Sequence, residues 1–169
     1  DGVDAGALGL PGARASRVLT PHRGELARLR SGLGLSREWP DDAVAARETA
    51  EVAGATVLLK GARTWVATPG GWLGLVESGA PWLSTAGTGD VLAGVLGALI
   101  AAHGSAVIAE PELLGPLAAS AAWLHGAAGR VASGVPRGGD PLSPGGSGHP
   151  LVALDVAEAI PAVWARLTA

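Results

Sequence analysis

The chain has 169 residues, of which 48% are hydrophobic, and a formal net charge of -3. This size suits one globular core, so we expect a single domain over residues 1–169. The absence of cysteine excludes disulfides and thiolate chemistry, and the acidic balance without a basic tract or a run of about 18 apolar residues argues against nucleic-acid and membrane partners. No leader-like segment opens the sequence, so the expected location is cytoplasmic.

The first predicted elements are a short strand at residues 17–20 and a helix that follows it. We expect Thr20 to cap this helix, with Pro21 as its first residue. His22 and Glu25 then lie at positions i and i+3 of the first turn. Two interpretations stay open, because the pair could belong to a site or could be an ordinary helix start in which Glu25 favours the dipole.

A helix over residues 41–53 and a buried strand over residues 55–60 come next. Ligands of open α/β sheets bind at the carboxyl ends of strands, so Lys60 and Arg63 are candidates to contact phosphate or a nucleobase. An ordinary surface turn with two cations is the alternative interpretation. Residues 64–68 and 72–76 have the alternating side-chain pattern of strands and flank Pro-Gly-Gly at residues 69–71, which predicts a β-hairpin.

Residues 84–94 form a glycine-rich loop that leads into an apolar helix. Gly87 and Gly89 let backbone amides approach a ligand, so we predict a phosphate-binding anion hole at Gly87, Thr88 and Gly89. The helix dipole keeps the following Asp90 ionised and able to accept a proton from a substrate hydroxyl. The loop therefore predicts phosphoryl chemistry, but alone it does not distinguish a kinase from a lyase.

The remaining pattern predicts a long helix over residues 112–133, a Gly/Pro-rich loop at about 135–150, and an amphipathic helix over residues 151–169 capped at Asp155. The sequence has no P-loop, Rossmann glycine motif, nucleophile elbow or zinc-protease motif. The four histidines are too scattered to predict a zinc site, and no metal ligand is assigned.

Four stretches of the chain together carry a resemblance to a known family: Thr-Pro-His-Arg-Gly-Glu at residues 20–25, Lys-Gly-Ala-Arg-Thr at 60–64, the Gly-Thr-Gly-Asp element at 87–94, and residues 153–161. In this order they resemble the ADP/ATP-dependent NAD(P)H-hydrate dehydratases, which are ribokinase-like proteins. The resemblance implies a ribokinase-like α/β fold with a mainly parallel sheet flanked by helices. Because such a domain needs roughly 250 residues, the N-terminal portion is expected to be missing.

The resemblance also implies a reaction, in which ADP or ATP drives the dehydration of hydrated NADH or NADPH and so repairs the cofactor. Asp90 would be the catalytic base that contacts the substrate, His22 a substrate contact, and Gly89 a nucleotide contact. The other implied nucleotide contacts are Lys60, Gly61, Ala62, Arg63 and Thr64. Mg²⁺ would offset phosphate charge, and we also expect a homo-oligomer.

Two alternatives stay open at this stage. The chain could be a ribokinase-like kinase of a vitamin-type alcohol, or a non-catalytic remnant that binds nucleotide. Products separate the first alternative from the dehydratase, since a kinase releases a stable phosphorylated alcohol.

Overall fold

The computed structural model describes residues 17–77, 79–135 and 148–168. Within these ranges the order of strands and helices is β1 (Val18–Leu19), α1 (Arg23–Gly32), α2 (Asp42–Ala53), β2 (Thr56–Leu59), β3 (Thr64–Ala67), β4 (Leu73–Val76), α3 (Thr88–Ala102), α4 (Gly104–Ala109), α5 (Leu114–Ser133) and α6 (Ala153–Leu167). Short 3-10 turns at Pro81–Leu83 and Pro111–Leu113 precede α3 and α5.

The described strands form one sheet in the order β1-β2-β3-β4. Strands β1 and β2 are parallel, whereas β2 pairs with β3 and β3 with β4 in antiparallel fashion. The predicted hairpin is confirmed, and Gly71 with φ of 99° provides its turn. The α/β class is also confirmed, but these four strands form a mixed rather than a mainly parallel sheet, because a tight hairpin connection requires antiparallel pairing.

The chain divides into two compact units, which are described separately here. The first comprises Asp1–Val76 with His103–Ala119, and the second comprises Glu77–Ala102 with Ser120–Ala169. The single domain expected from the sequence stays a prediction.

The core of the first unit lies where the sheet packs against α1 and α2. Its buried cluster is Leu26, Ala45, Ala46, Ala50, Val57, Leu59 and Ala67. All four residues of β2 are buried, as expected for a continuous apolar run in an interior strand. Small alanines on α2 let this helix lie close to β2 and β3.

A buried arginine fixes α1 to α2 within this unit. The Arg30 side chain is 3% exposed, and its guanidinium donates to the Ser36 carbonyl at 2.7 Å and to Thr49 Oγ1 at 3.1 Å. It also pairs with Glu48 at 2.9 Å and stacks over Trp39. These contacts satisfy the buried charge and hold α1, whose N-terminus carries His22, in a fixed orientation.

The core of the second unit is built mainly from α5 and α6. Its buried cluster is Leu124, Ala127, Ala128, Leu151, Val156, Ala159 and Val163, with Val91 and Val95 of α3 packed against it. Glycines allow close approach here, since a Cβ added to Gly129 would lie 2.6 Å from the Leu83 side chain. Helix α3 is therefore anchored by its apolar face, which leaves its N-terminal turn for other contacts.

Two helices, α1 and α6, differ from their predictions in the residue that caps them. Helix α1 begins at Arg23 with His22 as its N-cap, not at Pro21 with Thr20 as the cap. Helix α6 begins at Ala153, so Asp155 lies inside its first turn, where it accepts the Val152 N–H at 2.7 Å. In both cases a carboxylate at the third helical position reaches back to the cap residue's N–H and defines the start.

Most of the predicted Gly/Pro-rich loop, residues 136–147, lies outside the described residues. Among the helices that are described, none combines the length and the apolar character needed to cross a membrane.

Candidate functional site

The N-terminus of α1 is capped by a histidine. His22 Nδ1 accepts the N–H groups of Gly24 and Glu25 at 3.0 and 3.2 Å. Because Nδ1 is an acceptor, a neutral His22 ring carries its proton on Nε2. That nitrogen lies 3.4 Å from Glu25 Oε1, and the His22 side chain as a whole is about half exposed.

Glu25 joins His22 to Lys60. Its Oε2 accepts the His22 backbone N–H at 2.6 Å and lies 3.6 Å from Lys60 Nζ. The backbone brings these residues together, since Lys60 N donates to the Pro21 carbonyl at 2.8 Å and His22 forms an isolated parallel bridge with Lys60. Residues that follow two adjacent parallel strands, β1 and β2, thus meet at one edge of the sheet.

The carboxylate of Glu25 is held in its ionised form. Partial burial by itself would raise its pKa, but the His22 N–H and the nearby charge of Lys60 outweigh burial, and the pKa of Glu25 is lowered from its usual value. Glu25 is therefore negatively charged at neutral pH.

The turn between β2 and β3 contains the other predicted nucleotide contacts. Gly61, Ala62 and Arg63 are exposed, and Thr64 begins β3 with its hydroxyl donating to the Gly61 carbonyl at 3.2 Å. A Cβ on Gly61 would lie only 3.0 Å from the Arg63 carbonyl oxygen, so the tight turn favours glycine there. The Arg63 guanidinium lies 5.7 Å from the Trp65 ring centroid, which holds this cation at the turn.

The start of α3 matches the loop that the sequence singles out. Gly87 has φ of 85°, a left-handed conformation that favours glycine, and the helix begins at the next residue. Thr88 is buried, and its hydroxyl lies 2.7 Å from the Leu83 carbonyl oxygen and 2.8 Å from that of Thr85. Thr88 therefore shapes the loop through its side chain.

Gly89 and Asp90 present the groups that a ligand could use. The Asp90 and Val91 N–H groups both donate to the Gly87 carbonyl, whereas no acceptor for the Gly89 N–H is found among the described residues. Asp90 is exposed, and its carboxylate makes no hydrogen bond or ion pair within the same described ranges. The turn thus combines an available amide with an available carboxylate.

The structure groups the predicted site residues into two sets. His22 and Lys60 meet through Glu25 in the first unit, together with residues 61–64, and residues 87–90 lie in the second unit. The assigned roles stay predictions. Glu25 itself was not predicted as a site residue, although its spacing of three from the cap residue is the signal that could have revealed its contact with His22.

A family model described as NAD(P)H-hydrate dehydratase matches residues 3–137. The chain belongs to the NAD(P)H-hydrate dehydratase family. This membership confirms the resemblance that was drawn from the four sequence stretches.

Curated relatives and solved structures agree with the family assignment. The chain is 44% identical to the bifunctional NAD(P)H-hydrate repair enzyme Nnr of Gloeobacter violaceus, over 76% of this chain and 24% of that protein. It is 43% identical to the ADP-dependent (S)-NAD(P)H-hydrate dehydratase of Neisseria meningitidis serogroup B, over 68% of this chain and 36% of the relative.

A solved structure supports the ribokinase-like α/β fold. The ADP/ATP-dependent NAD(P)H-hydrate dehydratase of Bacillus subtilis, co-crystallised with ATP/Mg²⁺, superposes with a TM-score of 0.66 at 27% identity. The match covers 88% of this chain and 47% of that structure. The chain therefore spans about half the length of this dehydratase and a smaller share of the two curated relatives.

Proposed function

We propose that the chain carries out the ADP- or ATP-dependent dehydration of hydrated NADH or NADPH. The observation that carries the proposal is the first turn of α3, where the exposed Asp90 carboxylate stands beside the available Gly89 N–H. Family membership supports the substrate, because it links this pairing to hydrated nicotinamide cofactors rather than to another alcohol.

The proposed chemistry converts a poor leaving group into a good one. Asp90 accepts the proton of the substrate's ring hydroxyl, and the hydroxyl oxygen attacks the terminal phosphorus of ADP or ATP. The bond that joins this phosphorus to the rest of the nucleotide breaks at the same time. The lone pair of the ring nitrogen then expels phosphate. Loss of a proton from the adjacent ring carbon restores the double bond, so nucleotide cleavage drives the dehydration.

The other candidate residues have binding roles in this proposal. The amides of the turn formed by Gly87, Thr88 and Gly89 stabilise the transferring phosphoryl group, and Gly89 also contacts the nucleotide. Residues 60–64 bind the nucleotide with the charges of Lys60 and Arg63. His22, whose side chain is about half exposed, contacts the substrate.

Magnesium fits this arrangement as an ion held mainly by the nucleotide. No cluster of three or more metal-binding side chains occurs in the part of the chain that the structure describes. Mg²⁺ commonly keeps several waters and is bound by phosphates with one or two carboxylates, so such a cluster is not required. The ion would offset phosphate charge, and we assign it no protein ligand.

The proposal also extends to location and assembly. ADP, ATP and reduced nicotinamide cofactors are intracellular metabolites, which supports a cytoplasmic location. A homo-oligomer, with several copies of this chain, stays part of the proposal and is tested by light scattering of the purified protein.

The decisive experiment measures products with hydrated NADH as the substrate. We expect ADP or ATP to restore the absorbance of reduced nicotinamide with release of phosphate. The variant Asp90→Asn should lose about 10²-fold or more in rate, as for removal of a general base, while its melting temperature changes little because the side chain is exposed.

Three other results would contradict this function or the role proposed for Asp90. A stable phosphorylated alcohol would identify a kinase, and an unchanged rate in Asp90→Asn would refute the role of the base. Nucleotide binding without any turnover would support a non-catalytic binding protein.

A further inference from the structure

Glu25 is the one described side chain that contacts both the proposed substrate contact and a proposed nucleotide contact. Its carboxylate meets His22 through two contacts, from the backbone N–H at 2.6 Å and from Nε2 at 3.4 Å. The same carboxylate lies 3.6 Å from Lys60 Nζ. The Glu25 carboxylate is therefore held more closely by the His22 backbone N–H than by the Lys60 ammonium group.

The backbone alone already holds the two segments in register, through the bond from Lys60 N to the Pro21 carbonyl. Glu25 is therefore available for a role beyond joining the segments. We propose that Glu25 is a positioning residue that couples nucleotide binding at Lys60 to substrate binding at His22. This inference rests on the proposed function, because that function supplies both ligands.

The coupling follows from competition for the lysine. A nucleotide phosphate carries more negative charge than one carboxylate, and Lys60 is partly exposed and long enough to turn toward it. Once Lys60 contacts phosphate, the charge of Glu25 is shared with His22 alone. The Nε2–H contact then strengthens and adds to the two backbone N–H bonds at Nδ1 that already orient the imidazole ring, so the substrate meets a more firmly held partner.

The test compares substrate affinity with and without nucleotide in the 169-residue chain. Calorimetry with hydrated NADH and a non-hydrolysable methylene analogue of ADP measures the two dissociation constants without turnover. In the wild type we expect the analogue to tighten substrate binding about fivefold, near the lower end for coupled sites. In Glu25→Gln both ligands still bind, but the ratio of the two constants falls to about one.

The matched control is Glu51→Gln, which removes one negative charge from an exposed position on α2. This variant should keep the wild-type ratio. Lys60→Met removes the other partner of Glu25, so even at analogue concentrations that saturate this variant the ratio should fall to about one while substrate alone still binds.

A spectroscopic readout tests the link in the unmodified protein. Nuclear magnetic resonance of the imidazole nitrogens, assigned with His22→Asn, should show a change at His22 when the ADP analogue is added alone. An unchanged His22 signal, or a wild-type ratio in Glu25→Gln, would overturn the coupling and leave the proposed function intact. Failure of the wild type to bind either ligand would overturn both.

Discussion

Glu25 and Asp90 are both carboxylates in the first turn of a helix, but their surroundings give them different chemistry. Glu25 already accepts an N–H and faces a cation, and its lowered pKa makes it a poor proton acceptor. Asp90 is exposed, and no partner for its carboxylate lies among the described residues. Asp90 therefore suits the role of base, and Glu25 suits the role of a fixed charge.

The charge of Glu25 should make stability depend on pH. Because its pKa is lower in the folded than in the unfolded chain, its contribution is present above the unfolded value and is lost as the pH falls through the folded value. We expect Glu25→Gln to be less stable than the wild type at pH of about 7, with the difference closing below pH of about 4. Urea unfolding at both pH values measures this.

The control for this prediction is Glu51→Gln, which removes an exposed carboxylate of the same type. At neutral pH it should change the free energy of unfolding by less than about 0.5 kcal/mol. A Glu25→Gln deficit that stays constant down to acidic pH would mean that the carboxylate acts through packing and not through charge.

Among the elements, helices and strands with strong local sequence signals were predicted, whereas the helix starts that a capping side chain determines were not. Helix α2 and the apolar run of β2 have direct signatures in the sequence, although the predicted range of 41–53 placed Asp41 inside α2 and the structure makes it the N-cap. The start of α1 was misplaced, because histidine is an uncommon cap and Thr20-Pro21 imitates a usual one. The contact from Glu25 to the His22 backbone was missed for the same reason, since the spacing of three reveals it only when α1 is known to begin after His22.

The start of α3 should require glycine at Gly87, the residue that precedes the helix. Gly87 has φ of 85°, and an added Cβ would lie 3.1 Å from the Ala153 Cβ. We expect Gly87→Ala to lower the free energy of unfolding by about 1–2 kcal/mol, the cost of a left-handed conformation for a residue with a side chain. It should also weaken nucleotide binding, because the loop that presents the Gly89 amide would shift.

Gly94, which lies inside α3, offers the control for Gly87, which immediately precedes that helix. An added Cβ meets nothing within 4 Å, so Gly94→Ala should raise stability by about 0.5–1 kcal/mol through higher helix propensity. Urea unfolding and calorimetric nucleotide titration of the two variants give the comparison. If both substitutions changed stability in the same direction, the backbone of the loop would not be the determining factor.

For the whole molecule, sequence order and sheet topology explain different parts of the candidate site. Residues 87–90 are contiguous, so their grouping could be predicted directly. His22 and Lys60 are 38 positions apart and meet because β1 and β2 are adjacent and parallel, which follows from the α/β pattern. The antiparallel β3–β4 pair was predicted as a hairpin, but the antiparallel pairing of β2 with β3 was not, because an apolar run does not specify which neighbour a strand will pair with.

The whole chain should be stabilised by the nucleotide even without substrate. A ligand that binds only the folded state at about 100 times its dissociation constant adds about 2.7 kcal/mol, which for a chain of this size raises the melting temperature by roughly 5–10 °C. We expect ADP with Mg²⁺ to produce such a shift in a thermal unfolding scan. Lys60→Met should reduce the shift, because Lys60 is a proposed phosphate contact, whereas Arg47→Met, which removes an exposed cation from α2, should preserve it. Equal shifts in both variants would show that the nucleotide binds without the strand end at Lys60.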